Sequence, residues 1–141
     1  MKILTKRLSL IAARILITGS LITGNTAIAG AADTMLNEYI QQGAKPSSEA
    51  GKSFWNKSFK HAKSGGKSRS CATCHTANLS QSGKHTRTGK VIKPMAPSAN
   101  IASLTKRKKI NKWFKRNCKW TLGRECSKQE KADVLAYLKD L

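Results

Sequence analysis

Cys71-Ala72-Thr73-Cys74-His75 is the most informative stretch of this sequence. Two thiols at this spacing can add across the two vinyl groups of a haem, and the histidine that follows is placed to coordinate the iron. A C-x-x-C pair also occurs in thioredoxin-like redox sites and as half of a zinc site. The redox motif normally opens a helix after a strand, and a zinc site needs a second ligand pair of similar spacing. Neither context is present, so the motif predicts one covalently bound haem c, attached at Cys71 and Cys74, with His75 as the proximal iron ligand.

The first 29 residues have the three parts of a secretory signal peptide. Met1 to Arg7 is basic, an apolar stretch runs from Leu8 to Ile22, and Ala27-Ile28-Ala29 is an A-x-A cleavage signal. The alternative is an uncleaved membrane anchor, but Arg14 and several small or polar residues interrupt a segment that is already short for a membrane span. We therefore expect residues 1–29 to be cleaved and the protein to reside in the periplasm.

The chain is strongly basic, with a formal net charge of +20 at pH 7. The signal segment holds four basic residues and no acid, so 23 basic and 7 acidic residues remain, a net charge of +16. Such a field attracts polyanions, anionic membranes or an acidic protein partner. The periplasm offers little nucleic acid, and none of the common nucleic-acid-binding motifs is present. We therefore expect a partner with an acidic docking surface and no nucleic acid.

The hydrophobic periodicity predicts an all-α fold of short helices and loops around the haem. Helices are expected at residues 33–42, 48–59, 105–117 and 128–141. The last of these starts with a capping box formed by Ser127 and Glu130. Residues 76–100 contain many Gly, Pro and Ser residues and show no strand or hairpin signal, so a buried cofactor would have to organise them. The chain thus divides into the signal peptide, an N-terminal helix and linker at 30–48, and a cytochrome domain at 49–141.

The residue on the other side of the iron determines what such a protein does. A strong sixth ligand makes an electron carrier, whereas a weak or absent one leaves the iron open to small molecules. Met95 is placed like the methionine of an ordinary cytochrome c, although only twenty residues separate it from His75. His61 and His85 would give bis-histidine ligation, but each lies in a lysine-rich loop where a surface histidine is the common case.

Asn117 is a further candidate for the distal position. Ile110, Trp113 and Phe114 lie on one face of the third helix, Asn117 continues that series, and the opposite face is crowded with cations. An inward amide needs partners, of which iron could be one. Asparagine is also common at the C-terminal end of a helix, and the spacing alone favours that capping role.

Cys118 and Cys126 remain once the haem occupies the other two cysteines. An exported chain can oxidise its thiols, so we expect these two to form a disulfide. The bond would fix the end of the third helix relative to the start of the fourth.

A family resemblance extends from about Glu49 to the C-terminus and is densest in Cys71-Ala72-Thr73-Cys74-His75, Thr86-Arg87-Thr88-Gly89-Lys90, Ala96-Pro97-Ser98, Arg116-Asn117-Cys118, Gly123-Arg124-Glu125-Cys126 and Glu130-Lys131-Ala132-Asp133. In these stretches the chain resembles the sphaeroides haem protein (SHP) type of monohaem cytochrome c. The resemblance implies a cytochrome c class I-like fold with His75 as proximal ligand, Asn117 as distal ligand through its carboxamide, and a Cys118–Cys126 disulfide. In class I folds Gly51 and Trp55 would cross the C-terminal helix near Tyr137.

The resemblance implies a function as well. In that family the asparagine leaves the iron on reduction, so that oxygen, nitric oxide or another small ligand can bind. Family members look like partners of a dihaem cytochrome c and a membrane b-type cytochrome, which we expect as electron donors. No catalytic residue is predicted, and turnover by an oxygen or nitric oxide reductase or dioxygenase reaction stays open. The alternatives are a simple electron-transfer cytochrome c with Met95 as sixth ligand, and a basic membrane- or nucleic-acid-binding module in which the haem is structural.

Overall fold

The computed structural model describes residues 30–141, and the predicted signal peptide lies outside them. The described part is mostly helical, which confirms the all-α prediction, and none of its helices is long and apolar enough to cross a membrane. The elements are α1 (Ala31–Gln41), α2 (Ser48–Asn56), a 3-10 turn (Ala62–Ser64), α3 (Ala72–His75), β1 (Gly83–Lys84), β2 (Val91–Ile92), α4 (Arg107–Leu122) and α5 (Lys128–Lys139).

Helices α2 and α5 form the central crossing of the fold. The Ser47 hydroxyl accepts a hydrogen bond from the Ala50 amide at 3.1 Å and so caps the start of α2. The two helices meet at Gly51, and one turn later Trp55 packs edge-on against Tyr137 with the ring centroids 6.4 Å apart. This is the crossing that the class I resemblance predicts, and it is confirmed.

Helix α1 packs on α4 and α5 rather than standing apart from the cytochrome domain. Ala32 and Met35 are buried with Ile110 of α4 and Leu135 of α5. Arg107 also forms an ion pair with Glu38, which ties the start of α4 to α1. The segment at 30–48 therefore contributes to the same hydrophobic core as residues 49–141.

The predicted end of the third helix is wrong. Helix α4 continues through Asn117 to Leu122, and it ends at Gly123, which has the left-handed φ of 78° that glycine adopts without steric strain. Asparagine is only mildly unfavourable inside a helix, and the sequence contains no strong helix breaker before Gly123. Asn117 is therefore an interior helix residue, and its interpretation as a C-cap is wrong.

Two further boundaries differ from the sequence prediction. Helix α2 ends at Asn56, three residues before the predicted end at Phe59. Phe59 instead pairs antiparallel with Arg69 through backbone hydrogen bonds of 2.8 and 2.9 Å. Residues 83–92, expected to lack regular structure, form a small hairpin in which Gly83 pairs with Ile92 and Lys84 with Val91. Strands of two residues are too short to show an alternating pattern in the sequence.

Candidate haem site

The C-x-x-C-H motif forms the single turn of α3 and is held by its neighbours on both sides. Ser70 and Thr73 bond reciprocally: the Ser70 amide donates to the Thr73 hydroxyl at 2.9 Å, and the Thr73 amide donates to the Ser70 hydroxyl at 3.1 Å. The Cys71 amide donates to the Trp55 carbonyl at 3.2 Å, which fastens the motif to the end of α2. These bonds fix the backbone that carries both thiols.

The hairpin lies directly against this turn. A Cβ atom built on Gly83 would lie 2.1 Å from the Cys74 carbonyl oxygen and 2.8 Å from the His75 Cα. Only glycine permits strand β1 to approach the motif so closely. The hairpin thereby becomes one wall of the space in front of the histidine.

That space is a cavity of about 1430 Å³, larger than the roughly 300–1,000 Å³ typical of small-molecule pockets. Cys71, Cys74 and His75 line it from the motif side, and Phe114 and Asn117 line it from α4. Apolar residues of α2, α5 and the loops supply much of the remaining surface. A large, flat, mostly apolar group attached at the two thiols would be enclosed by these elements.

The chemistry of the three motif side chains agrees with haem attachment and not with a redox pair. Cys71 and Cys74 are not joined to each other by a disulfide, and burial raises the pKa of the Cys71 thiol to about 11. Reactive C-x-x-C thiols instead have a depressed pKa. Nor do three or more His, Cys, Asp or Glu side chains come together as a metal site anywhere in residues 30–141, which leaves the zinc interpretation without support.

His75 is suited to bind a metal. Burial lowers the pKa of its imidazole, so the ring is neutral at pH 7 and keeps a lone pair for coordination. The His75 Nδ1 atom is buried without a hydrogen-bond partner among the described residues. The ring centroids of His75 and Trp55 are 5.4 Å apart. The residues present thus fit a haem attached through Cys71 and Cys74 and bound by His75, which would bring the iron and its redox chemistry to this cavity.

The four candidates for the distal position are not equivalent in the structure. Asn117, Met95 and His85 all line the cavity, whereas His61 does not. The His61 Nε2 atom instead lies 3.1 Å from the Trp120 carbonyl oxygen at the end of α4. The bis-histidine alternative is therefore reduced to His85.

Cys118 and Cys126 are bonded to each other in the structure, with an S–S distance of 1.98 Å. Both are buried, and their bond joins the last turns of α4 to the residue before the cap of α5. Asn117 is the residue immediately before this anchor, so the backbone that carries its amide is held on one side by a covalent link.

Charge is distributed unevenly around the cavity. Within the part of the chain that the structure describes, the acidic residues lie in 33–49 and 125–140, and none of them lines the cavity. None of the seven cationic lining residues forms an ion pair with a described residue. They are Lys67, Arg69, Arg87, Lys90, Lys93, Lys109 and Arg116.

Some residues that shape the site were missed by the sequence analysis. The composition of residues 76–100 does not single out Gly83, and no sequence pattern singles out Arg69. Arg69 is in fact hydrogen-bonded to the end of α4, and its guanidinium lies over the Trp120 ring at 4.6 Å. The feature of the sequence that could have pointed to Arg69 is its position two residues before Cys71, the first haem cysteine.

A mostly helical domain with a large cavity lined by an intact C-x-x-C-H motif defines a monohaem c-type cytochrome. The model of a domain of unknown function, DUF1924, matches residues 41–138. The chain is 43% identical over 98 residues to the cytochrome c-type protein SHP of Cereibacter sphaeroides, covering 68% of this chain and 72% of that protein. The chain belongs to the SHP family of monohaem cytochromes c, and it carries one covalently bound haem c.

Cytochrome c'' of Methylophilus methylotrophus is also similar, with 43% identity over 93 residues that cover 66% of this chain and 63% of that protein. Among solved structures, oxidised SHP, an oxygen-binding cytochrome c, has a TM-score of 0.71 at 34% identity and covers 79% of this chain and 98% of its own. Oxidised cytochrome c'' has a TM-score of 0.68 at 37% identity, covering 77% and 93%. The class I-like arrangement is therefore shared with these relatives.

Proposed function

We propose that this cytochrome accepts an electron from a partner and then binds a small diatomic ligand, oxygen or nitric oxide, at its haem. Asn117 serves as a weak distal ligand that gives way when the haem is reduced. The observation that carries the proposal is the position of Asn117: it is half-buried on α4, it lines the cavity that also contains His75, and its side-chain amide makes no hydrogen bond to another described residue.

Met95 is the main competitor, and its surroundings favour Asn117. The Met95 side chain packs against the buried cluster that includes Trp55 and Leu79. Its amide donates to the Leu79 carbonyl at 2.9 Å, and its own carbonyl accepts the Ser103 hydroxyl at 2.6 Å. Met95 therefore already has a packing role, whereas the Asn117 amide lines the cavity without a hydrogen-bond partner among the described residues.

His85 is also engaged elsewhere. Its Nδ1 atom accepts from the Thr88 amide at 3.2 Å and lies 3.0 Å from the Thr88 hydroxyl. These contacts hold the ring within the hairpin tip, where the Gly89 amide also donates to the His85 carbonyl at 2.9 Å. Because Nδ1 accepts from the Thr88 amide, the ring carries its proton on Nε2, and Nε2 then has no lone pair to offer the iron.

The chemistry of an amide ligand explains the coupling to oxidation state. A carboxamide oxygen is a hard, neutral and weak donor, which suits ferric iron better than ferrous iron, so reduction loosens it. A displaced amide would remain in the cavity and could donate a hydrogen bond from its NH2 group to whatever replaces it. The relatives support this view, since SHP is an oxygen-binding cytochrome c and the solution structure of cytochrome c'' concerns haem-ligand detachment.

The partner and the location form part of the same proposal. The signal-peptide pattern and the disulfide favour the periplasm, where thiols oxidise readily. A dihaem cytochrome c or a membrane b-type cytochrome would supply the electron. The seven unpaired cations of the cavity lining would attract an acidic docking surface on such a donor and raise the association rate at low ionic strength.

Replacement of Asn117 by alanine tests the proposal, with Met95→Ala as the matched control. We expect Asn117→Ala to shift the ferric optical spectrum towards high spin and to speed ligand binding to the ferric haem, while Met95→Ala leaves both unchanged. Carbon monoxide should bind the reduced wild-type protein readily. A methionine–iron charge-transfer band that disappears in Met95→Ala would instead establish the electron-carrier alternative.

A further inference from the structure

The Trp120 carbonyl, near the C-terminal end of α4, is hydrogen-bonded to side chains of the segment that leads into the haem-attachment motif. Helix α4 is also the helix that carries Asn117. In a longer helix this carbonyl would accept the amide four residues ahead, but α4 ends at Gly123, so it is one of the last carbonyls without a partner inside the helix. Two side chains supply the missing donors. Arg69 Nη1 donates to the Trp120 oxygen at 3.0 Å, and His61 Nε2 lies 3.1 Å from it.

The geometry fixes the roles of both donors. A carbonyl oxygen can only accept, so His61 must carry its proton on Nε2. The Arg69 guanidinium also lies over the Trp120 ring at 4.6 Å, which adds a cation–π contact to the hydrogen bond. A positive charge at the C-terminal end of a helix is further favoured by the helix dipole.

Both donors belong to one segment, which we name the strap and define as residues 59–70. Backbone hydrogen bonds between Phe59 and Arg69 close the strap at its neck. The His61 ring packs against Gly123, where an added Cβ would lie 2.8 Å from it. The strap runs directly into Cys71, so Arg69 stands two residues from the haem attachment.

Asn117 and Trp120 are three residues apart on α4, so their side chains lie on the same face, and both line the cavity. The disulfide holds this turn towards α5, and the Trp120 carbonyl holds it towards the strap. Because the backbone around Asn117 is held from two directions, the Asn117 side chain moves by rotation about its own torsion angles.

We infer that Arg69 and His61 are positioning residues that set how firmly Asn117 holds the iron, by clamping the Trp120 carbonyl to the strap. The inference rests on the proposed function, since it requires Asn117 to be the distal ligand. The clamp keeps the amide at coordinating distance in the ferric protein. Release on reduction then proceeds by rotation of the Asn117 side chain, not by movement of α4.

The test is the rate at which cyanide binds the ferric holoprotein, because Asn117 must leave before cyanide can enter. Arg69→Met removes one of the two donors of the clamp and its stacking on Trp120. Lys63→Met removes an equal charge from an exposed position of the strap that does not line the cavity. We expect Arg69→Met to raise the cyanide binding rate on the order of tenfold, the size expected for loss of one hydrogen bond to a charged group. Lys63→Met should stay within about twofold.

A conservative variant, the ferric spectrum and a double variant separate a positioning role of Arg69 from a loss of folding. Arg69→Lys, which keeps the charge but loses the planar fork and its stacking, should give an intermediate rate and guards against a folding failure of Arg69→Met. The ferric spectrum of Arg69→Met should gain high-spin character. In an Asn117→Ala background, Arg69→Met should have no further effect on cyanide binding, because there is no amide left to position.

Each contrary result has its own meaning. If Asn117→Ala alone leaves the ferric spectrum and the cyanide rate unchanged, the proposed function is wrong and the inference fails with it. If Asn117→Ala changes both but Arg69→Met behaves like Lys63→Met, only the inference is wrong. If hydrogen exchange shows faster opening of the last turn of α4 in Arg69→Met while the cyanide rate stays unchanged, Arg69 is a structural cap and the positioning role is overturned.

Discussion

Gly51 on α2 touches the backbone of Asp133 on α5: a Cβ atom on the glycine would lie 2.0 Å from the Asp133 carbonyl oxygen. The same atom would lie 2.8 Å from the Tyr137 Cβ. The obstacle is main chain and the base of a side chain, neither of which can rotate away. Any larger residue at this position must push the two helices apart, and Trp55, which packs on Tyr137 and lies beside His75, would move with α2.

Gly51→Ala should therefore destabilise the holoprotein by about 3 kcal/mol or more, at the upper end of the range for overpacked cores. The free energy of unfolding, measured by urea titration and followed through the haem absorbance, checks this. Lys52→Ala on the same helix is the control, because Lys52 is exposed and should change stability by about 0.5 kcal/mol at most. Equal stability of Gly51→Ala and the wild type would refute the close crossing.

The parts of the fold that were predictable are those with strong local signals. The capping box is present as expected, with the Glu130 amide donating to the Ser127 hydroxyl at 3.1 Å and the Ser127 amide donating to the Glu130 carboxylate at 2.7 Å. Hydrophobic spacing located the four long helices because each buries one face. The crossing at Gly51 came from the family resemblance and could not be read from spacing alone.

The parts that failed depend on contacts distant in sequence. The hairpin forms because Gly83 fits against the backbone of Cys74, which no pattern within residues 83–92 reveals. The predicted end of α4 at Asn117 is wrong because asparagine does not stop a helix by itself, and no residue before Gly123 breaks it. The clamp on the Trp120 carbonyl joins residues 51 and 59 positions apart, and such pairings follow from the tertiary structure only.

Glu130 should make stability depend on pH in the acid range. The hydrogen bond from Arg124, together with the backbone bond from Ser127, holds the pKa of this carboxyl below its ordinary value. A depressed pKa means that the stabilisation is present above the unfolded-state pKa and is lost as the pH falls through the folded-state pKa. Glu130→Gln should thus lower the free energy of unfolding by about 1 kcal/mol at pH 7, the usual contribution of such a cap.

The test compares the difference in free energy of unfolding between Glu130→Gln and the wild type at pH 7 with the same difference at acid pH. At an acid pH below the folded-state pKa of the wild-type carboxyl, the difference between Glu130→Gln and the wild type should shrink towards zero. Urea unfolding at both pH values measures it, with Glu49→Gln as the control, because Glu49 lies exposed in the first turn of α2. A difference that is the same at both pH values would contradict the assignment to the ionised carboxylate.

Reduction of the Cys118–Cys126 bond should destabilise the protein by about 2 to 3 kcal/mol, the value expected from chain entropy for a short loop. Thiols do not cleave the haem thioethers at Cys71 and Cys74, but they can reduce the haem iron. After treatment the reductant is therefore removed, the new thiols are alkylated and the iron is reoxidised before unfolding. Urea unfolding of treated and untreated protein gives the difference, and the Cys118→Ser/Cys126→Ser double variant should show the reduced value in both cases. A reductant effect that persists in the double variant would show that the effect has another cause.

Two glycines of the hairpin should respond differently to alanine, because they are required for different reasons. At Gly83 a Cβ would lie 2.1 Å from the Cys74 carbonyl oxygen, so Gly83→Ala forces β1 away from the haem-attachment turn. We expect a loss of about 3 kcal/mol and a lower yield of covalently attached haem. Gly89 has a φ of 68° and free space around it, with Lys84 Cε 3.6 Å away, so Gly89→Ala incurs only the strain of the left-handed backbone, about 1 kcal/mol.

The two variants are compared by urea unfolding and by haem absorbance per mole of purified chain. Because both positions lie in the same hairpin, a general weakening of the hairpin would lower stability and haem yield to the same extent in each variant. The close approach of Gly83 predicts a larger loss there, since the displaced strand leads through Ile92 to the loop residues that enclose the cavity. Gly83→Ala protein with haem content and stability no lower than those of Gly89→Ala would mean that the hairpin does not press on the haem-attachment turn.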